Sequence, residues 1–451
     1  MVAVEVIETP SLGDRSYVAH DGVAAVVVDP QRDLDRVEAV LAAHGLAVAL
    51  VVETHVHNDY VTGGLELARR TGARYAVAAD EDVAFDRVAV ADGDELTAGS
   101  LTVRVRATPG HTDTHLAYVV DGADDEPPAV FTGGSLLFGT VGRTDLVDPD
   151  RTDELTRAQY RSARSLAADL EERARIFPTH GFGSFCSSAP TSGATESTIA
   201  QEREGNLALT VDDEDDFVHR LASGLTAYPS YYAHVSPENL AGPGSLPTGA
   251  VAPANAEILR RRLAAGEWVI DLRARRAYAA DHVAGAVGIG LEGSFATYLG
   301  WVVPWGAPLT LLTEKPDDID EARRELARIG IDHLAGAAAG SPEALAPPER
   351  RASFPVATFA ELADAGEDVQ VLDVRRADEF AGEAIPGATN VPLHELPGRV
   401  DDLPPAPLWV HCRSGYRAGI AAGVLARAGR DVVLIDDDFG EASRLGLTAT
   451  T

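Results

Sequence analysis

The first half of the chain alternates short apolar runs with segments that have the spacing of a helix. Apolar side chains recur along one helical face at residues 34–43 and 65–71, and again at 157–173, where charged residues take the outer face. The apolar runs, each as long as one strand, lie at residues 23–28, 46–52, 74–78, 101–107 and 130–131. Because strands and helices alternate, this region is predicted to form a layered α/β domain.

The second half of the chain contains one pattern twice. Val-Ile-Asp-Leu-Arg at 269–273 corresponds to Val-Leu-Asp-Val-Arg at 371–375. The segment 282–289, which carries Ala-Gly-Ala, corresponds in the same order to 384–391, which carries Pro-Gly-Ala. The agreement in order and spacing predicts two copies of one α/β unit.

Composition suggests where these regions are separated. Residues 236–255 and 340–353 are rich in Pro, Gly and Ala and are expected to be linkers. The acidic run at 212–216 is expected to begin a solvent-exposed helix, since negative charge suits a helix N-terminus. A length of 451 residues is compatible with three domains. We expect these domains at residues 1–240, 254–340 and 353–451.

The formal net charge of −32 argues against nucleic acid and anionic membranes as partners, because both require a basic surface. We see no apolar run long enough to span a membrane and no signal-peptide pattern at the start of the chain. The two cysteines, Cys186 and Cys412, are too few for a disulfide framework and are expected to be reduced thiols. A cytoplasmic location is therefore expected.

Five polar residues of the first domain have the arrangement of a metal site. His55 and His57 alternate after an apolar run, and Asp59 follows two residues later. Side chains two apart in an extended segment share a face, so both histidines can point to one place. His111 and His180 follow two further strands. Because histidines that close strands in a layered α/β domain point into one cleft, the sequence predicts a metal ion there.

The last domain carries a thiol where its reactivity should be enhanced. The strand 408–411 leads to Cys412 on a loop that opens a helix at 418–428. Loop N–H groups and a helix N-terminus stabilise a thiolate, and arginines add positive charge. We predict that Cys412, Arg413 and Arg417 are catalytic. The predicted substrate contacts of the same loop are Ser414, Gly415 and Tyr416.

This loop, together with Asp-Val-Arg at 373–375 and Ile-Pro-Gly-Ala at 385–388, resembles a rhodanese sulfurtransferase domain. The ring between Cys412 and Arg417 is smaller than that of phosphatase loops and suits a sulfur atom. The resemblance implies that Cys412 carries a persulfide. In the middle copy, the equivalent strand 309–313 runs into Glu314–Asp317 without a cysteine. That copy is expected to be rhodanese-like without sulfur transfer, and to be structural or a docking surface.

Residues 1–235 resemble the metallo-β-lactamase fold. Within them, Phe-Thr-Gly at 131–133 and Gly-Arg-Thr-Asp-Leu at 142–146 are similar to the persulfide dioxygenase branch. The resemblance implies an αββα metallo-β-lactamase sandwich followed by two rhodanese-like α/β domains. It also places Arg143 near the substrate.

Two positions depart from this family. The last histidine of its His-x-His-x-Asp-His motif is Tyr60, which favours one metal ion over two. The aspartate expected after Phe-Thr-Gly is Gly134. Without that carboxylate, His55, His57 and His111 could form a three-histidine site for iron or zinc, and we expect Fe(II) in preference to Zn(II). The candidate replacement carboxylates are Asp59, Asp113 and Asp145.

Two residues near these motifs allow two interpretations each. Cys186 is either a buried, apolar-like side chain or a thiol at the mouth of the cleft that binds substrate sulfur. His115 is either a strand residue or a metal ligand, and the first interpretation is preferred.

The combined motifs predict an enzyme of sulfur metabolism. A persulfide dioxygenase-like metal domain would be coupled to a rhodanese that uses thiosulfate or a small thiol persulfide. The main alternative is a sulfurtransferase whose first domain is degenerate or binds zinc. A thioester hydrolase is disfavoured by Tyr60 and Gly134, and a non-catalytic sulfur-relay scaffold is a further alternative. The oligomeric state stays open, with a homo-oligomer as one option.

Overall fold

A computed structural model describes residues 2–122, 126–188, 194–366 and 369–449. The chain divides into two compact units, the first comprising residues up to 247 with 326–330, and the second 248–325 with 331–451. Within the described ranges, no helix has both the length and the apolar character needed to cross a bilayer.

The first unit is built from twelve strands and seven α-helices among its described residues. Its strands are β1 Ala3–Thr9, β2 Asp14–His20, β3 Ala24–Val28, β4 Ala47–Val52, β5 Arg74–Ala78, β6 Val88–Val90, β7 Glu95–Ala98, β8 Leu101–Ala107, β9 Leu116–Asp121, β10 Ala129–Gly133, β11 Arg175–Pro178 and β12 Ser197–Thr198. Its helices are α1 Asp35–His44, α2 Gly64–Thr71, α3 Thr152–Asp169, α4 Ile199–Gly205, α5 Leu207–Thr210, α6 Glu214–Gly224 and α7 Tyr232–Ala241.

Two six-stranded sheets form the centre of this unit. Their strand orders are β1-β2-β3-β4-β5-β6 and β12-β11-β10-β9-β8-β7. The apolar core lies between the sheets, where Val28 and Leu50 of one belong to the same buried cluster as Val105 and Phe131 of the other. Apolar side chains of α1 and α2 cover the outer face of the first sheet, and those of α3 and α6 cover the second. The predicted αββα sandwich is therefore confirmed.

The described residues of the rest of the chain form two parallel sheets and a two-stranded antiparallel sheet. The strands are β13 Trp268–Asp271, β14 His282–Val283, β15 Val287–Gly288, β16 Leu309–Thr313, β17 Gly336–Ala339, β18 Arg351–Ala352, β19 Val356–Ala357, β20 Gln370–Asp373, β21 Thr389–Asn390, β22 Leu408–His411 and β23 Val432–Ile435. The helices are α8 Ala256–Ala264, α9 Arg275–Ala280, α10 Phe295–Val302, α11 Asp317–Arg328, α12 Pro342–Leu345, α13 Phe359–Ala365, α14 Ala377–Gly382, α15 Leu396–Arg399, α16 Tyr416–Arg427 and α17 Phe439–Arg444.

The internal repeat of the sequence folds as the two parallel sheets. Their orders are β15-β13-β16-β17 and β19-β23-β22-β20-β21, and every pair within them is parallel. The matching Asp-x-Arg runs of the sequence begin at the ends of β13 and β20. The fold thus agrees with two copies of one α/β pattern.

The predicted linkers are folded in part: residues 236–241 belong to a helix, whereas 242–252 form no regular helix or strand and contain the boundary between the two units. Helix α7 continues through Ala241 and includes Pro237, and its Asn239 is buried. The second segment forms α12, a 3-10 turn and β18, which pairs with β14. Pro and Gly content therefore did not exclude helix at the start of the first segment or regular structure in the second. The predicted helix start in the acidic run is confirmed, since the Asp213 side chain caps α6 by accepting from Asp216 N.

Candidate metal centre and sulfur-transfer loop

The loop after β4 brings His55 and His57 together. β4 ends at Val52, so both histidines lie in this loop, and not in the extended strand that their alternation suggested. Their ring centroids are 4.1 Å apart. Thr54 Oγ1 binds Nδ1 of His55 at 2.9 Å, and Tyr60 OH binds Nε2 of His57 at 2.9 Å. One nitrogen of each ring is therefore left for a metal.

Buried carboxylates hold this loop in place. Asp29, which follows β3, accepts hydrogen bonds from N and Oγ1 of Thr54, both at 2.7 Å. Asp29 Oδ1 and Glu53 Oε2 each lie 3.4 Å from His57 Nε2. Burial alone would lower the pKa of His57, but these two carboxylates outweigh it and raise the pKa to about 9. The role of Asp29 was missed; a carboxylate directly after an apolar strand was the available signal.

Helix α7 supports the same loop from outside the sheets. Asn239 Nδ2 donates to the carbonyl oxygens of His57 and Tyr60, each at 2.9 Å. Its Oδ1 accepts from Thr62 N at 3.0 Å. Asn239 was also missed, because its segment was interpreted as a linker.

His180 reaches the histidine pair from the loop after β11. Its Nδ1 lies 2.9 Å from Asp14 Oδ1 and 3.3 Å from Asp59 Oδ2. Its Nε2 lies 3.2 Å from Nε2 of His55. Two nitrogen ligands at about 2.0–2.1 Å from one tetrahedral zinc ion would be about 3.3 Å apart. The two nitrogens therefore have a spacing that suits a shared metal.

His111 and Cys186 form a second donor group with His180. The ring centroid of His111 is 5.3 Å from that of His180. His111 Nδ1 binds the carbonyl oxygen of Arg143 at 2.7 Å, which leaves Nε2 as its ligand atom. The Cys186 thiol is buried and donates to Tyr232 OH at 3.7 Å.

The donor atoms form overlapping groups. Within each group the ligand atoms lie within 4.8 Å of one another. Among the described residues, these groups are His55, His57 and His180; His111, His180 and Cys186; Asp14, Asp59 and His180; and Asp29, Glu53 and His57. A separate group near the surface is formed by Glu5, His20 and His44. His180 belongs to three of the buried groups, so it is central to the candidate site.

Unsatisfied atoms indicate that these residues fit a metal ion. His57 Nδ1 and both carboxylate oxygens of Asp59 are buried and have no hydrogen-bond partner, although buried polar atoms are normally paired. Burial and neighbouring histidines lower the pKa of His55, and burial with His180 lowers that of His111 to about 3. Both rings therefore stay neutral, which is the metal-binding form.

The two departures from the family motif have clear structural consequences. Tyr60 is fully buried, and its hydroxyl occupies the Nε2 side of His57. A Cβ atom on Gly134 would lie 2.2 Å from Cδ2 of His111. An aspartate therefore does not fit at residue 134 while His111 keeps this position. The two-histidine-one-carboxylate arrangement of the resemblance is not formed here.

Two candidate replacement carboxylates are engaged elsewhere. Asp113 binds Arg151 through both oxygens at 2.9 Å, near the surface. Asp145 binds the guanidinium of Arg143, with both contacts at 2.7 Å. Asp113 and Asp145 are therefore paired with arginines in this structure, whereas Asp59 lies beside His180.

The Arg143 side chain, which was predicted to contact substrate, is hydrogen-bonded to groups of the protein. Besides Asp145, its guanidinium donates to the carbonyl oxygens of Phe185 and Thr226, and the side chain is buried. The guanidinium is thus engaged by protein groups in this structure, and its contact with substrate stays a prediction. Its carbonyl oxygen orients His111, and its guanidinium holds the loop that carries Cys186.

His115 lies beside the other histidines, but both of its ring nitrogens already have hydrogen-bond partners. It lies directly before β9, with its ring stacked 4.9 Å from that of His55. Thr108 Oγ1 binds its Nδ1 at 2.8 Å, and Gly134 N donates to its Nε2 at 2.9 Å. With both ring nitrogens engaged, His115 supports the cluster.

A cavity of about 600 Å³ opens beside these histidines. Its lining includes Val56 and Asn58, which flank His57, and Tyr232, which contacts Cys186. Since this cavity adjoins the donor cluster, it is the candidate binding site for a small molecule.

Cys412 lies at the end of β22, on the loop that opens α16. The thiol is 2% exposed. Gly415 has a φ of +86°, which an L side chain rarely adopts, and an added Cβ would lie 2.2 Å from Asp436 Oδ1. The loop therefore requires glycine here. Its backbone N–H groups and the start of α16 provide the positive environment expected for an anion.

The loop arginines differ in their surroundings. Arg417 forms a two-point ion pair with Glu379, at 2.6 and 2.9 Å. Burial alone would raise the pKa of Glu379, but Arg417 outweighs it and holds the pKa at about 2. Arg413 and Ser414 have exposed side chains. Of the two predicted catalytic arginines, Arg417 is thus already neutralised by a partner.

The middle copy contacts this loop, within the same compact unit. Tyr416 OH donates to the carbonyl oxygen of Gly290 at 2.9 Å. Arg275 Nε donates to Asp436 Oδ1 at 2.6 Å, and its Nη2 lies 3.4 Å from the carbonyl oxygen of Ser414. The cysteine-free copy therefore helps to hold the conformation of the loop.

Comparisons with known proteins agree with this architecture. The rhodanese-like domain family matches residues 356–443. A probable metallo-hydrolase of Burkholderia pseudomallei is 30% identical over 213 residues, covering 41% of this chain and 68% of that protein. The mitochondrial persulfide dioxygenase ETHE1 of Homo sapiens is 29% identical over 206 residues, 45% of this chain and 72% of that protein.

Further similarities support the same fold. A hydroxyacylglutathione hydrolase of Pseudomonas putida is 36% identical over 157 residues, 35% of this chain. The match spans 56% of that hydrolase, little more than half its length. The crystal structure of a metallo-β-lactamase from Staphylococcus aureus superposes with a TM-score of 0.66 at 25% identity, covering 75% of this chain and 99% of that one.

These findings define the class of the protein. The chain belongs to the metallo-hydrolase family with the metallo-β-lactamase fold, and its relatives include persulfide dioxygenases and hydroxyacylglutathione hydrolases. It joins this metal-binding type of domain to a C-terminal rhodanese domain.

Proposed function

We propose that this chain is an enzyme of sulfane-sulfur metabolism, in which a persulfide dioxygenase-like domain is coupled to a rhodanese sulfurtransferase. The observation that carries the proposal is the position of Cys412. A buried thiol ends a central parallel strand and precedes α16, on a loop whose N–H groups can bind an anionic sulfur compound.

The sulfurtransferase step needs only the residues of this loop. The Cys412 thiolate attacks the outer sulfur of thiosulfate, a new S–S bond forms, and the S–S bond of thiosulfate breaks with its electron pair leaving on sulfite. The loop N–H groups stabilise the persulfide anion on Cys412. A second thiolate then takes the outer sulfur and regenerates the Cys412 thiolate. The substrate is thus a small thiol persulfide or thiosulfate.

The first unit would use its histidine cluster. His55, His57 and His180, with His111 beside them, would hold a single metal ion, and the ion would supply oxygen binding and activation. The 600 Å³ cavity would admit a persulfide RSSH, which with one O₂ and one water gives the thiol RSH, sulfite and two protons. Tyr232 and Asn58 would limit access to the cluster from this cavity.

One observation favours a second candidate function. The ring of His111 takes the space of the carboxylate that Gly134 lacks. A site of histidine nitrogen donors accepts zinc readily. In this alternative the rhodanese is active, and the first unit holds a redox-inactive metal and does not consume oxygen.

Two measurements on the purified full chain test these proposals. Thiosulfate:cyanide sulfur transfer should be lost in Cys412→Ser and retained in Cys186→Ser. Oxygen uptake with a thiol persulfide, with sulfite as the product, should require the loaded metal and be lost in His55→Ala. Sulfur transfer without oxygen uptake in the iron-loaded protein would support the second candidate. Absence of sulfur transfer would refute both.

A further inference from the structure

The thiol of Cys186 lies in the candidate metal centre, and the family resemblance assigns it no role there. Cys186 belongs to the loop after β11, which also carries His180. Its Sγ and the ligand atoms of His111 and His180 are all within 4.8 Å of one another. The thiol is 1% exposed, so the group is shielded from bulk water.

The family carboxylate is missing from this region, and the buried carboxylates that share a donor group with His180 are those of Asp14 and Asp59. Residue 134, where the family carboxylate would stand, is glycine, and an added Cβ would meet His111 at 2.2 Å. Asp59 lies on the Nδ1 edge of His180, at 3.3 Å, where that edge also binds Asp14. Asp14 and Asp59 therefore lie on the Nδ1 edge of His180, and His55 lies on its Nε2 edge at 3.2 Å. Cys186 supplies the thiol that shares a donor group with His111 and His180.

A second observation points to a ligand in the same cluster. Nε2 of His57 is engaged by Tyr60, and Nδ1 is buried without a hydrogen-bond partner. His57 joins the first donor group through His180, which also belongs to the group of Cys186. The two donor groups, one with His57 and one with Cys186, therefore share His180.

We infer that Cys186 is a metal ligand in this chain, and that with His111 and His180 it replaces the carboxylate absent at residue 134. When the ion binds, an Sγ–metal bond forms and the thiol proton is released to solvent. A thiolate is a softer ligand than a carboxylate, so this donor set favours Zn(II) or Co(II) more than the family's ligand set would. The inference rests on the proposed metal binding by the first unit, and not on oxygenase activity.

Surrounding residues fix the thiol in this position. The loop carbonyl of Phe185, next to Cys186, accepts from the buried Arg143, and Arg143 N donates to the carbonyl oxygen of Cys186 at 2.9 Å. The carbonyl oxygen of Arg143 in turn binds His111. Arg143 therefore connects two of the three proposed ligands, which sets their separation before a metal binds.

The test is the absorption spectrum of the Co(II)-loaded full chain. Thiolate coordination gives a near-ultraviolet charge-transfer band, whereas nitrogen and oxygen ligands give only weaker visible bands. The chain has two cysteines, so in Cys412→Ser any such band must come from Cys186. We expect the band in the wild type and in Cys412→Ser, and its loss in Cys186→Ser with the visible bands retained. Chelator competition should show that Cys186→Ser weakens Co(II) binding at least about tenfold, as loss of partners of ligands already does.

The outcomes separate this inference from the proposed function. Visible bands without a charge-transfer band in Cys412→Ser would show that the unit binds metal but that Cys186 is not a ligand. The spectrum of Cys412→Ser gives this result even if Cys186→Ser fails to fold. A band that persists in Cys186→Ser would likewise overturn the inference. No cobalt retained by the wild type would overturn both the inference and the proposed metal binding.

Discussion

The ring of His111 lies where a side chain of Gly134 would have to start, since a Cβ there would be 2.2 Å from Cδ2 of His111. Placing an aspartate at residue 134 should therefore not produce the two-histidine-one-carboxylate metal site of the family. We expect Gly134→Asp to displace His111, to weaken metal binding, and to destabilise the first unit by roughly 1–3 kcal/mol, as overpacking does.

The stability of the first unit is measured by hydrogen exchange and mass spectrometry on peptides from β8–β10. The metal content of the same samples is measured in parallel. The control is Gly205→Ala, at a glycine with open space around it, which should leave both quantities nearly unchanged. Tighter metal binding by Gly134→Asp with unchanged exchange would contradict the expectation, because it would mean that His111 moves aside easily.

Tyr60 is predicted to act through His57. Its hydroxyl lies 2.9 Å from His57 Nε2, and partners of this kind fix the orientation of a ligand ring. Tyr60→Phe should lower the affinity for Zn(II) by about 10–100-fold while the fold is kept. Competition with a chromophoric chelator measures the change. Tyr118→Phe is the matched control, since its buried hydroxyl binds the Glu53 carbonyl and no donor nitrogen; equal losses in both variants would show a general packing effect.

Gly415 is predicted to be essential for the sulfur-transfer loop. It combines a φ of +86° with a Cβ position 2.2 Å from Asp436 Oδ1. Gly415→Ala should distort the loop around Cys412 and reduce kcat/KM for thiosulfate by at least about tenfold, because small displacements at a reacting centre are costly. Steady-state kinetics give the value.

The control for this variant is Gly429→Ala. Gly429 has a similar φ of +76°, but nothing lies within 4 Å of an added Cβ. It therefore carries the backbone strain without the collision. If the two variants lost activity equally, strain and not the contact with Asp436 would be the cause.

The sequence predicted which histidines come together better than it predicted the residues that support them. His55, His57, His111 and His180 could be grouped because each follows an apolar run, and strand ends share one edge of a sheet. The role of Cys186 was left open between a buried side chain and a substrate thiol, since its loop has no periodic pattern, although it follows His180 by six residues in the same loop. Asn239 was missed for a related reason, because Pro237 beside it suggested a linker although the helix continues through it.

Strand prediction also depended on local apolar character. β5 was predicted with its observed ends, whereas the N-terminal strands β1 and β2 were missed because polar and charged residues interrupt them. Their pairing in the sheet, and not their own composition, stabilises them. Asp14 lies at the start of β2, so its role beside His180 could be recognised only once the sheet was formed.

The ion pair of Glu379 and Arg417 should give the second unit a measurable pH dependence. Arg417 outweighs burial and holds the pKa of Glu379 at about 2, below its ordinary value of 4.5. A carboxyl group whose pKa is lower in the folded state than in the unfolded state stabilises the fold. The full contribution is present above the unfolded-state pKa and is lost as the pH falls towards the folded-state pKa. Compared with Glu379→Gln, the wild type should be more stable by about 1.5–3 kcal/mol near neutral pH, the usual contribution of a hydrogen bond to a charged group. This difference should shrink as the pH falls from 4.5 towards 2.

Tryptophan fluorescence during urea unfolding measures this directly, because Trp268, Trp301, Trp305 and Trp409 all lie in the second unit. The control is Glu395→Gln, which removes an exposed pair with Arg399 at 3.2 Å and should change the free energy of unfolding by about 0.5 kcal/mol or less. Removing Glu379 should also leave Arg417 without its neutralising partner, so the KM for the dianion thiosulfate should fall. A stability difference that stays constant between pH 6 and pH 3 would show that Glu379 acts through packing and not through its charge.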